Sequence, residues 1–186
     1  MTRLTLAARN LLVQVPEVQA LREMGRIGRG ATWPDGWIFD SRPYATIEQY
    51  SRKALVVISY AGTWMAPNEH NSAHFHRLYV DIWASPTRLP DGTPEREDAD
   101  MLIETVWEAL STHLHTVNRD VPSDGSVSPL LGLPGHPRVW GTAEEIEART
   151  GVVVLGSQQL GEPDLSDVRD GNGARMGRYV IGVQTI

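Results

Sequence analysis

The sequence predicts a single α/β domain of the α+β kind, over residues 1–186: a mixed, largely antiparallel sheet flanked by helices, with protruding hairpin loops. Three stretches carry that expectation. Residues 54–60 form a continuous apolar run, Ala-Leu-Val-Val-Ile-Ser-Tyr, rich in β-branched side chains, as a buried strand requires. From Phe75 to Ala84 the pattern alternates, with Leu78, Val80, Ile82 and Ala84 on one side and Tyr79, Asp81 and Trp83 on the other, the signature of a half-buried strand. Ala99, Leu102, Ile103, Val106, Leu110 and Leu114 then recur at helical spacing, a stripe that must pack on a sheet.

The remaining elements follow in order. Leu4, Leu11, Leu12 and Val15 repeat near 3.6 residues and predict an N-terminal helix after Thr2; Pro16 either breaks it or opens a second helix whose apolar positions are Val18, Leu21 and Met24. Trp33-Pro34-Asp35-Gly36 is a turn, and Trp37 to Phe39 a short strand. The polar stretch 62–72, containing Pro67, is expected to be the long tip of an antiparallel hairpin joining strands 54–60 and 75–84. Residues 86–94 are expected as a loop turning at Asp91-Gly92, after which Thr93 or Glu95 begins the main helix, with Glu95, Glu97, Asp98 and Asp100 at its positive end. The Pro, Gly and Ser content of about 120–137 predicts an irregular excursion. A strand-like piece ends at Trp140, and Thr142-Ala-Glu-Glu fits a capping box that opens a short helix to about Thr150. Strands 152–159 and 178–186 close the chain around a turn-rich loop, 161–174, that carries Pro163 and Gly171-Asn172-Gly173.

Composition removes several function classes. With 41% hydrophobic residues the chain can fill a core, yet its longest apolar run, Ala54 to Ile58, is far below the roughly 20 residues of a membrane span. Arg9, Asn10 and Gln14 interrupt the N-terminal stretch, so no secretory leader is expected. There is no cysteine, which excludes disulfides and thiolate metal sites. The net charge is −6, and the basic residues, one lysine (Lys53) and sixteen arginines, are scattered among acids; a duplex-DNA binder concentrates them on one face.

Candidate chemistry is sparse. Glu69, His70, His74 and His76 form the one suggestive metal constellation, but His70 and His74 would need a helix to share a face, and His74 with His76 on a strand needs a third ligand. Ordinary surface histidines are the plainer reading, and no metal or other cofactor is expected. His113 and His115 diverge on a helix. Gly156-Ser157-Gln158 lacks the second glycine of a nucleophile elbow, and the glycines at 25, 28 and 30 neither follow a strand nor precede Gly-Lys-Ser/Thr. No catalytic residue is assigned, and the chain is expected not to be an enzyme. Trp33, Trp37, Trp64 and Trp140 lie in or beside loops, which suits either peripheral packing or subunit contact, whereas Trp107 flanks the helix stripe and belongs with the core.

Taken together, Ala54-Leu-Val-Val-Ile-Ser-Tyr, Arg77-Leu-Tyr-Val-Asp-Ile-Trp-Ala, Asp100-Met-Leu-Ile-Glu-Thr-Val-Trp-Glu-Ala-Leu and the closing Arg178-Tyr-Val-Ile-Gly-Val-Gln resemble the tail terminator proteins of long-tailed phages, especially those of actinobacteria. The resemblance covers most of the chain and rests on element order, with 120–137 as an insertion. It implies a mixed α/β subunit that closes into a ring, a hexamer, on the last ring of the tail tube, stops tube growth and offers its other face to the head–tail connector protein. The partners implied are further copies of the chain, the tail tube protein and the connector, with DNA passing through unbound and no membrane involved. The place implied is the head-proximal end of the virion tail, and the host cytoplasm during assembly. The residues expected at the subunit or tube interface are Trp64, Glu69 and His70 near one hairpin tip, and Asp164, Asp167, Arg169, Asp170 and Arg175 in the second loop, where mixed charges would set register. Two other readings stay open: another connector or minor tail component, and a small metal-dependent enzyme using His70, His74 and His76.

Overall fold

The computed structural model describes residues 3–13, 15–23, 37–39, 54–65, 74–114, 154–167 and 174–185. Helices α1 (Arg3–Leu12) and α2 (Pro16–Glu23) come first. Pro16 opens the second helix instead of merely breaking the first: its fixed φ suits the first helical position, and its missing N–H would have no intrahelical partner there. The Gln19 side-chain amide donates to the Val13 carbonyl at 3.1 Å and ties the corner between the helices.

Strand β1 (Ile38–Phe39) runs parallel to β2 (Ala54–Met65), which pairs antiparallel with β3 (His74–Ala84). A small ribbon, β4 (Thr87–Arg88) with β5 (Pro94–Glu95), then leads into the long helix α3 (Arg96–Leu114). Strands β6 (Val154–Gln159), β7 (Asp164–Asp167) and β8 (Arg175–Thr185) follow. The main sheet has the order β1-β2-β3-β8-β6, with β7 also on β8, and every pairing except β1 with β2 is antiparallel. The expected α+β class is therefore the observed one.

Three expected loops contain strand. β2 continues past Tyr60 to Met65, so the hairpin tip is shorter than 62–72. The extension needs one extra residue: the register moves from Tyr60↔Leu78 to Gly62↔Arg77, leaving Ala61 as a bulge, with Gly62 at φ 130°. Within 86–94, Leu89 N–H donates to Thr93 O at 3.0 Å and the Asp91 carboxylate accepts from Thr93 N–H at 2.9 Å, which folds the turn into the β4–β5 ribbon. Within 161–174, residues 164–167 pair with Arg178–Arg175. β6 and β7 thus lie end to end along one side of β8, parted by a break at Gly161 (φ 75°). The excursion 120–137, the piece ending at Trp140 and the helix after Thr142 lie outside the described residues.

The core lies between the helices and one face of the sheet. Leu78, Val80, Ile82 and Ala84 of β3 meet Val56 and Ile58 of β2, Tyr179, Ile181 and Val183 of β8, and the helix stripe Ala99, Leu102, Ile103, Val106 and Leu110. Leu4, Ala8 and Leu12 of α1 and Val18 and Leu21 of α2 complete it. Arg9 of α1 donates to the Ile38 carbonyl at 2.8 Å and anchors β1. No described helix is long and apolar enough to cross a membrane.

Candidate assembly surface

Three constellations outside the apolar core carry charge or aromatic side chains in fixed positions. The first surrounds Arg175, the opening residue of β8. Its Nε donates to Asp100 Oδ1 of α3 at 2.7 Å, Nη2 lies 3.4 Å from Asp100 Oδ2, and Nη1 donates to Asp167 of β7. Arg96, at the start of α3, stands 3.9 Å from the same Asp167 oxygen. The hydrogen bond from Arg175 holds the Asp167 carboxyl below its ordinary value. Charges from α3, β7 and β8 thus alternate in sign, and the guanidinium at their centre is 16% exposed.

This arrangement alters the expectation for the second loop. Asp164 and Asp167 stand at the two ends of a sheet strand, not on a free hairpin tip, and both are exposed. Arg175 faces inward to pair with its own chain, so its charge maintains the subunit's internal geometry. Glu69, His70, Arg169 and Asp170 lie outside the described residues. Trp64 stands in β2 opposite Phe75, in the arm beyond the bulge.

The second constellation occupies the sheet face opposite the helices. Alternation along β3 places Tyr79, Asp81 and Trp83 there, and β8 adds Met176, Arg178 and Val180; all six are half-buried. Asp81 and Arg178 are direct cross-strand partners. The guanidinium forks the carboxylate, Nε to Oδ1 at 2.7 Å and Nη2 to Oδ2 at 3.0 Å, and lies over the Tyr79 ring at 4.7 Å. The hydrogen bond to Asp81 raises the Arg178 pKa further above its already high value. Aromatic, methionine and arginine side chains are the types that anchor protein interfaces. Sequence reasoning placed Tyr79, Asp81 and Trp83 together on one face but missed Arg178 as their partner, because register between distant strands is not written in either one.

The third constellation lies in the distal arm of the β2–β3 hairpin. His74 and His76 share a face, with ring centroids 6.4 Å apart and planes inclined by 29°. His76 Nδ1 lies 3.1 Å from the Tyr60 hydroxyl and 3.0 Å from the Thr63 hydroxyl. Partial burial, and then the neighbouring His74, hold His76 below the ordinary histidine value. Among the described residues no three histidines, aspartates or glutamates gather closely enough to hold a metal ion.

No protein-family model and no curated protein sequence matches this chain.

Proposed function

We propose that this chain is a structural virion assembly protein that caps the tail tube of a long-tailed phage as a ring, stops tube elongation and provides the surface that joins the head connector. The observation that carries the reading is the asymmetry of the subunit. Helices back one face of a mostly antiparallel sheet, while the opposite face carries half-buried Tyr79, Trp83, Met176 and the Asp81–Arg178 pair beside buried Leu55 and Val57. A ring of identical copies requires two different patches to meet with a rotation that closes, and a subunit whose faces differ this much has such patches available. The element order that resembles tail terminators supports the same reading. The exposed acids Asp164 and Asp167 and the long β2–β3 arm are suitable parts for register and docking. A net charge of −6 would help DNA pass without sticking wherever those acids line the channel.

The test is tube growth. Purified protein added to elongating tail tube protein should arrest extension and leave short tubes carrying a terminal ring. Virions made without this product should have overlong or headless tails. Tubes that lengthen unchecked in its presence, or particles of normal tail length in its absence, would overturn the proposal.

A further inference from the structure

We propose that Asp91 is a latent isomerisation site, and that the hydrogen bonds of the β4–β5 turn hold the Asp91–Gly92 linkage in its ordinary form. The inference is independent of any role in a phage tail. An aspartate followed by glycine rearranges when the glycine nitrogen attacks the side-chain Cγ. A new N–Cγ bond closes a five-membered imide, the nitrogen loses its proton, and the carboxyl hydroxyl leaves with it as water. Water then adds back. Opening at the side-chain carbonyl restores aspartate. Opening at the main-chain carbonyl breaks its bond to nitrogen instead, leaving a free α-carboxylate and a chain that runs through Cγ, longer by one backbone atom.

Bulk does not hinder the attack here. Asp91, Gly92 and Thr93 are exposed, and even a Cβ built on Gly92 would meet nothing within 4 Å. With φ at 85°, the turn favours glycine at this place, so the vulnerable pair comes with the fold. What restrains the reaction is that each reacting group is already engaged. The attacking nitrogen donates its N–H to Leu89 O at 2.8 Å, which holds both its proton and its position. The Asp91 carboxylate accepts from Thr93 N–H at 2.9 Å; this bond, aided by the Thr93 hydroxyl, keeps the carboxyl below its ordinary value. Only the protonated acid can release water, so the turn favours the unreactive form. Arg88 Nη1 donates to Gly92 O at 3.0 Å, and Leu89 N–H to Thr93 O at 3.0 Å, so the peptide cannot swing over Cγ without breaking contacts on either side. The ribbon is in turn anchored to α3, since the Thr87 hydroxyl lies 2.8 Å from Asp98 Oδ2. Rearrangement therefore proceeds at the rate at which the turn opens. Once formed, an isoaspartyl linkage would lengthen the turn and undo the Leu89–Thr93 closure.

The experiment incubates the full chain for weeks in mildly acidic buffer, folded and in urea. Peptide mapping with electron-transfer fragmentation, which separates the two linkages, then reads isoaspartate at position 91. The folded protein should form it more slowly than the unfolded one by about tenfold or more, the worth of losing a charge-assisted hydrogen bond. An Arg88→Ala/Thr93→Val pair keeps Asp91-Gly92 but removes the guanidinium from Gly92 O and the hydroxyl from Asp91. Its ratio of folded to unfolded rate should rise several-fold above the parent's. A folded rate equal to the unfolded one, or a ratio unmoved in the double variant, would overturn the assignment.

Discussion

Gly177 of β8 lies so close beneath Ile103 of α3 that no side chain fits between them. A Cβ built on Gly177 would stand 2.6 Å from Trp107 Cζ2 and nearer still to Ile103 Cγ2. The helix thus packs directly on the backbone of a central strand. The indole N–H of the same Trp107 is buried with no hydrogen-bond partner among the described residues, a local cost of the close packing.

Substituting Gly177 should therefore separate helix from sheet. Gly177→Ala is expected to destabilise the fold by about 1–3 kcal/mol through overpacking, and Gly177→Val by more. Urea denaturation followed by tryptophan fluorescence measures it; an alanine variant as stable as the parent would show that α3 shifts freely.

Tyr179 links three elements and should titrate late. It is buried on β8, its hydroxyl donates to Gln159 Oε1 at 3.1 Å, and Ser111 of α3 also hydrogen-bonds it. Burial raises its pKa to about 12 from 10.0. Because the folded value exceeds the unfolded one, this contribution is intact below pH 10 and lost as pH rises to about 12, amounting to about 2–3 kcal/mol. Phenolate absorbance should show one of the five tyrosines ionising last. Tyr179→Phe should remove that final step.

The Arg175 cluster should behave as a unit. Arg175→Ala is expected to cost about 1–2 kcal/mol, because a charged donor to a partly buried carboxylate is lost. A double-mutant cycle with Asp100→Asn should show coupling, since one change removes what the other acts through. Additive effects would mean that the guanidinium contributes mainly by packing.

Assembly is better probed at Asp164 than at Arg175, whose reversal would disturb the subunit itself. Asp164 is exposed on β7 opposite Arg178, so Asp164→Asn, which removes its charge without setting a cation beside that guanidinium, should alter stability by no more than about 0.5 kcal/mol. On the proposed role it should weaken ring closure or tube docking. Assembly equal to the parent by light scattering would remove Asp164 from the interface.

Much of this architecture could be read from periodicity. The alternation from Leu78 to Ala84 and the stripe from Ala99 to Leu110 correctly identified the residues that now form the core, because burial on one face leaves a period in the sequence. Strand inside polar stretches was not legible. Thr63 and Asp164 look like loop residues, and they become strand because an existing neighbour, β3 or β8, offers backbone partners. Arg175 looked like a surface charge for the corresponding reason: Asp100 is distant in sequence and reaches it only through tertiary packing. The surface that would meet other copies was the least legible part, since complementarity to a partner imposes no period on either chain.

The glycines with positive φ bear on solution behaviour. Gly62 lies in the bulge of β2, whose edge away from β3 is paired by a described strand only at Val56 and Val57, and Gly161 parts β6 from β7 along the opposite side of the sheet. Among the described residues, each of these two edges is interrupted by a glycine of positive φ and so offers a stray chain no long, straight row of amides and carbonyls. Such interruptions should lower the tendency of crowded copies to seed cross-β fibrils.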